Sequence, residues 1–392
     1  LLLHMIERLQ SWLSASGRET MPRRLRGMML VVVMLGASDA VAPAVAPGRQ
    51  QAEKATANDI PAFPGAEGSG AASRGGRGGK VFIVTSLADS GPGSLRECVE
   101  AKGPRTCTFA VAGTIVLKTT LYVTNPFLTV AGQTAPGGGV QLTNSPGATE
   151  RDLAALVLVS THDVVWTYTR LRNQYREACS NNRTSECGGL FGIESARDRD
   201  VYNVLADHNS LSWNQDEGFD IWSGAGGPLF NVTMSMNLIA EGLKSHSTGM
   251  LAGGQGSVHS RSVYNIDFHH NMVMNNSHRN PLMVNRSARI VNNIFYNQSY
   301  YLSEFGGGGS FDIIGNFYKK GPASRRVMAH EVLAFSSRGA DPVDGAPSLF
   351  MAGNLGWNQP DPGADQGAMT SRVWGENGVE VGYFSSPVLI SA

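Results

Sequence analysis

Short runs of alternating apolar and polar residues recur along the second half of the chain, and each ends in asparagine. That asparagine is the third residue of DHNSLSW (207–213), SMNLIAE (235–241), HHNMVMN (269–275), VNNIFYN (291–297), IGNFYKK (314–320) and AGNLGW (352–357). Aligned, they place Asn209, Asn237, Asn271, Asn293, Asn316 and Asn354 at one phase, with spacings of 28, 34, 22, 23 and 38 residues. Five positions before each Asn stand Val204, Val232, Ile266, Ala288, Phe311 and Leu349. Three before stand Ala206, Met234, Phe268, Ile290, Ile313 and Met351. One after stand Ser210, Leu238, Met272, Ile294, Phe317 and Leu355. These positions share the parity of one strand face, which predicts a buried face repeated in successive units. The Asn is expected where the chain bends, because Asn tolerates left-handed backbone. Stacked asparagines can also bond to one another as a ladder.

A shortest repeat of 22 residues, with room for three short strands per turn, predicts an all-β parallel β-helix, the longer spacings being loops inserted at fixed corners. No 3.6-residue period of helical repeats runs over several turns. The first half fits the same plan: Val81–Thr85, Gly113–Leu117 and Phe127–Val130 are short apolar strands between Gly/Pro turns. The stretch SLRECVE from Ser94, with Glu97 three residues on, predicts a short helix that caps the stack. Glycine-rich Arg74–Gly79 lacks the strand-then-helix setting of a phosphate loop and reads as a turn into the first strand.

Composition narrows the class. Hydrophobic residues make up 42% and charged residues 16%, with 47 glycines, which favours sheets and turns over helices. Lys+Arg and Asp+Glu number 32 each, so no bulk positive charge draws the chain to nucleic acid. At the N-terminus, Met21 opens a basic segment (Arg23, Arg24, Arg26), an apolar run at 27–35 and an A-x-A site at Ala42–Ala44. That order is a secretory signal over 21–44. Residues 1–20 read as a non-native extension, 45–60 as a linker and 61–392 as one β-helix domain. The expected location is extracellular or periplasmic. Four cysteines fit export: Cys98 with Cys107 and Cys179 with Cys187 would form two local disulfides, the alternative being buried free thiols.

The repeat also locates chemistry. Seven residues after a ladder Asn stand Asp216, Lys244 and Tyr300, with Arg279 eight after Asn271 and Tyr301 eight after Asn293. Successive coils rise by about 4.8 Å, so residues at one phase form a row on one flank. Asp220 follows Asp216 on the same coil. An acid pair, two cations and an aromatic in line suit an anionic sugar polymer: the carboxylates to hold Ca²⁺, the cations to meet uronate groups, the tyrosine to stack on a sugar. His278 lies beside Arg279, whereas His208 and His270 read as inner or corner histidines and Asp207 as a turn or ladder group.

Several ordered motifs then carry a resemblance. AFPGAEG (62–68), GGRGGKVFIVTSLADSGPGSLREC (75–98), GPRTCTFAVAGTI (103–115), VAGQTAPGGG (130–139), DHNSLSWNQDEGFD (207–220), NLIAEGLKSHS (237–247) and HHNMVMNNSHRNPLM (269–283) together resemble the bacterial secreted pectate lyases of polysaccharide lyase family one, over roughly 60–357. The resemblance implies a right-handed single-stranded parallel β-helix and calcium-dependent cleavage of polygalacturonate by β-elimination. It implies Arg279 of the R-x-P motif as base, Lys244 as a catalytic and substrate-binding cation, and Asp216 and Asp220 as calcium ligands. Where relatives carry further acids upstream, this chain has Cys187-Gly188-Gly189, leaving Glu186 and Glu217 to compensate. Arg286 stands in for the second Arg that often follows R-x-P, and His278 and Tyr300 join it as substrate contacts. The implied partner is pectate or pectin of the plant cell wall, bound by a monomer. Two rivals remain: a β-helix hydrolase using Asp216, Glu217 and Asp220 as its carboxylates, and a non-catalytic polysaccharide binder.

Overall fold

The computed structural model describes residues 60–145, 154–174, 188–195, 199–224, 227–243, 246–324, 329–335, 346–372 and 382–383, all within one compact unit, Ala55–Ala392. The expected signal, the linker up to residue 59, and Cys179, Glu186, Cys187 and Lys244 lie outside the described residues. Among the described residues the strands form three parallel sheets of eleven, nine and eight strands. Each sheet takes one strand from each coil in turn, as a parallel β-helix requires.

The apolar columns stack in register. In the eleven-stranded sheet Val204 pairs with Val232, Val232 with Ile266, Ile266 with Ala288, Ala288 with Phe311 and Phe311 with Leu349. All six are fully buried. The column Ala206, Met234, Phe268, Ile290 and Ile313 is buried beside them. Both positions were legible in the alternation.

The asparagine ladder is continuous. The amide N–H of Asn209 donates to Asn237 Oδ1 at 2.8 Å, Asn237 to Asn271 at 2.9 Å, Asn271 to Asn293 at 2.9 Å, Asn293 to Asn316 at 3.0 Å and Asn316 to Asn354 at 2.9 Å. Each Asn Nδ2 also donates to the next Asn Oδ1. Thr169 begins the ladder by donating to Asn209, and Gln366 ends it by accepting from Asn354. These amides are buried, and the ladder answers their polarity where no water reaches.

Two details of the repeat differ from expectation. The left-handed residue is not the Asn but the one before it: His208, Met236, His270, Asn292, Gly315 and Gly353 all have φ between 54° and 66°. That corner resets the alternation. Leu238, Met272, Ile294 and Phe317, expected inside, are 36–41% exposed, and the next residues along, Leu211, Ile239, Val273, Phe295 and Tyr318, are buried instead. A second left-handed column, Trp213, Glu241, Asn275 and Asn297, ends the short strand and turns the chain toward the nine-stranded sheet.

The N-terminal end is capped by the helix Leu95–Glu100, with Ser94 accepting from the Glu97 amide. The Cys98–Cys107 disulfide ties this helix to the strand Arg105–Phe109. Buried Arg105 donates to the carbonyls of Cys98, Val99 and Pro126. Ahead of the cap, residues 62–79 run as a strap over the eleven-stranded sheet. The amides of Gly70, Arg74 and Gly76 donate to the side chains of Thr233, Asp163 and Thr129. Gly76 lies so close that a Cβ would stand 1.9 Å from the Arg105 carbonyl oxygen, so the glycine-rich run is a close crossing rather than only a turn.

Candidate active site

The ionisable residues sit where the nine-stranded sheet begins each coil. Asp216 precedes the strand Glu217–Ser223, which carries Asp220. Its neighbours are the strands Gly189–Ser195 and Thr248–Gly254. Backbone bonds fix the order across coils: the Thr248 amide donates to Asp216 O, the Gly249 amide to His278 O and the Met250 amide to Arg279 O. On the far side the Tyr300 amide donates to Ser277 O and the Asn280 amide to Leu302 O. Residues 216, 248, 278–279 and 300–302 therefore lie on adjoining rungs, as the spacing from the ladder predicts.

Side chains close the arrangement. The Arg279 guanidinium meets Glu217 in an ion pair, and Arg279, at φ 55°, is held by its own amide donating to Glu304 Oε1 at 3.1 Å. His246 Nδ1 stands 3.0 Å from Asp216 Oδ1, although the pair is not aligned as a hydrogen bond. The His246 and His278 rings meet edge to face at 5.2 Å, and His278 and Tyr300 at 6.4 Å. A His–His–Tyr row thus runs along the flank beside the acids. Tyr300 is 40% exposed, with one face toward Tyr301. Arg286 does not join the row: it lies over Tyr264, at the end of an aromatic stack through Phe230 and Tyr202.

Electrostatics set the acids apart. Burial, then the adjacent Glu217, pushes the Asp216 carboxyl far above the usual carboxylate range. Burial, then Glu217 and Glu194, does the same to Asp220. Burial also raises Glu194. Glu217 is buried too, but Arg279, Asp216 and His246 outweigh that and hold it below its ordinary value. Burial, then Arg279, lowers His246. Asp216 Oδ1, Asp220 Oδ1, Thr248 Oγ1, Arg279 Nε and Asn280 Oδ1 are buried here with no hydrogen-bond partner.

His246 and Glu194 were passed over in the sequence. His246 stands two residues after the position aligned with Asp216, so a window of two positions about each phase would have found it. Glu194 lies on a strand whose run carries no ladder Asn, and no repeat marks it.

Stacked parallel coils with an acid cluster and a paired arginine on one sheet define a parallel β-helix protein with an ionisable flank. No family model matches the chain. Among curated proteins it is similar to "Probable pectate lyase C" of Aspergillus flavus, 34% identical over 272 residues that cover 67% of this chain and 55% of that protein. The protein of the same name from Emericella nidulans is 34% identical over 270 residues, covering 67% and 54%. The chain thus spans about half the length of the curated relatives it matches. Among solved structures, a pectate lyase from Paenibacillus sp. 0602 covers 86% of this chain, and this chain covers 91% of it, with a TM-score of 0.57 and 11% identity, a likeness of fold. The likeness to these pectate lyases runs over two-thirds of this chain.

Proposed function

We propose that the protein is an exported lyase that cleaves polygalacturonate by β-elimination with calcium. The observation that carries this reading is the meeting of Arg279 with Asp216, Glu217 and Asp220 on one flank of a pectate lyase homologue. The basic, apolar and A-x-A segments at 21–44 support export. Among the described residues no helix is long and apolar enough to cross a membrane. A monomer presenting this flank to an anionic cell-wall polymer completes the reading.

The residues fit a calcium ion. Asp216 and Asp220 each present a buried oxygen without a donor, and both carboxyls resist ionisation next to Glu217. Hard oxygen ligands with unbalanced negative charge are what Ca²⁺ prefers. Asp216 and Asp220 would hold it, with Glu217, and Glu186 is proposed as a further ligand. Bound there, the ion would neutralise the charge that grows on a uronate carboxylate as its α-proton leaves.

Arg279, in its unprotonated form, is proposed to take that proton from C5; the C5–H electron pair becomes the C4=C5 double bond as the C4–O bond breaks, the departing oxygen takes a proton from solvent, and a 4,5-unsaturated uronide remains. Lys244 is proposed to bind the same carboxylate, and His278 and Tyr300 to contact the sugar. A second reading follows from His246, which stands 3.0 Å from Asp216 and whose charged form burial disfavours, so that it could take the proton instead. Polygalacturonate incubated with the calcium-loaded protein should gain a conjugated ultraviolet chromophore. Reducing ends without the chromophore would mean hydrolysis, and binding without either would mean a polysaccharide binder. His246→Ala with full activity, against Arg279→Ala with none, keeps Arg279 as base.

A further inference from the structure

The strap at 62–79 brings Glu67 to the end of the strand Val263–His269, about 200 residues away in sequence. Ile266 and Phe268 of that strand face the core, so Asp267 and His269 face outward, and the strap covers them. The Ser69 amide donates to Asp267 Oδ2, and the Ser69 hydroxyl to the Asn265 carbonyl. His269 is consequently 8% exposed, although it points away from the core. The next residue, His270, takes the left-handed corner conformation, which swings its imidazole to the same side as His269.

We propose that Glu67, His269 and His270 form a binding site for a divalent transition-metal ion, Zn²⁺ by preference, which staples the strap onto the solenoid. One ligand atom from each of the three lies within 4.8 Å of the others, the only such group among the described residues. His269 Nδ1 and His270 Nδ1 face each other at 3.0 Å. Two nitrogens bound to one zinc ion at about 2.0–2.1 Å in tetrahedral geometry would stand roughly 3.3 Å apart, so a small ring movement would admit the ion. Two imidazoles and one carboxylate are the ligand set that suits zinc, with a fourth position for water. The remaining ring nitrogens already meet orienting groups: His269 Nε2 lies 3.4 Å from the Glu67 carbonyl oxygen, and His270 Nε2 lies 3.3 Å from the Asn292 amide, which can turn its oxygen toward a ring N–H. Oxygen-only calcium sites have no use for this pair of imidazoles. The site is on the eleven-stranded sheet, whereas the acids of the proposed active site are on the nine-stranded one, so neither proposal rests on the other.

The test uses the full chain carrying Asp216→Asn and Asp220→Asn, so that zinc held by those acids is not counted. Stripped of metal and dialysed against Zn²⁺, it should retain one ion per chain. Glu67→Gln, a change at an exposed residue that should leave the fold intact, and His270→Ala should each weaken retention at least tenfold. Hydrogen exchange across 62–79 should slow on adding Zn²⁺ and should not respond in Glu67→Gln. Failure to retain zinc, equal retention in both variants, or retention with unchanged exchange in the strap would each overturn the staple.

Discussion

Asp220 illustrates how a single residue can serve a site against stability. Its carboxyl is raised by burial and by Glu217 and Glu194, so the folded, metal-free protein disfavours its ionised form. A raised carboxyl contributes stability below its unfolded value of about 4, and that contribution is lost as pH rises through the folded value. Glu217 has the opposite sign: its stabilising effect is present above the ordinary carboxylate value and lost on acidification. Metal-free protein should therefore melt at a lower temperature at pH 8 than at pH 5, with calcium restoring the difference. Asp220→Asn should raise the metal-free melting temperature at pH 8 while removing the response to calcium. A calcium response that survives the substitution would place the ion elsewhere. Glu217→Gln tests the ion pair: without the carboxylate that holds the Arg279 guanidinium in place, the rate of cleavage should fall while the fold is kept. An unchanged rate would show that the pair takes no part in the reaction.

At the scale of the coil, the difference between expectation and structure has a definite cause. Alternation found the inward columns at Val204 and Ala206 and their partners because those residues lie in one uninterrupted strand. It misplaced Ile294 and its stack because parity does not carry through a left-handed residue, and the corner before each Asn was occupied by His, Met, Asn or Gly with no common signature. The ladder itself was legible, since an Asn that bonds to its equivalent on the next coil must recur at one phase. The same phase counting brought Asp216 and Arg279, 63 positions apart in sequence, to one flank two rungs apart, with the Thr248 rung between them. It could not show that Arg279 pairs with Glu217 or that His246 fills the gap, because side-chain direction at the loop ends follows from packing. Phe295→Ala should cost about 3–5 kcal/mol of folding stability. Ile294→Ser, one residue away and 41% exposed, should stay within about 0.5 kcal/mol. Denaturant titration of the two variants decides between the observed parity and that of a continuous strand, which would reverse the order.

Over the whole molecule, a solenoid is only as stable as its ends, because each coil rests on its neighbours alone. Here one end is closed by the helix Leu95–Glu100, buried Arg105 and the Cys98–Cys107 disulfide. Motif order made this end readable, including the disulfide. The strap over the eleven-stranded sheet was not readable, because its contacts are made by backbone amides to side chains up to 198 residues away. A bond closing nine residues should contribute about 2–3 kcal/mol. Reduction should therefore lower the denaturation midpoint, and Cys98→Ser/Cys107→Ser should match the reduced protein if this bridge carries the effect.

The reaction is tested most directly by following ultraviolet absorbance of polygalacturonate digests with the native protein and with Arg279→Ala, each with calcium and with chelator. The native protein should generate the unsaturated chromophore with calcium only, and Arg279→Ala should generate none while melting as a folded protein. Chromophore from the variant at the native rate, or shortened chains bearing no chromophore, would contradict β-elimination by Arg279 on this flank.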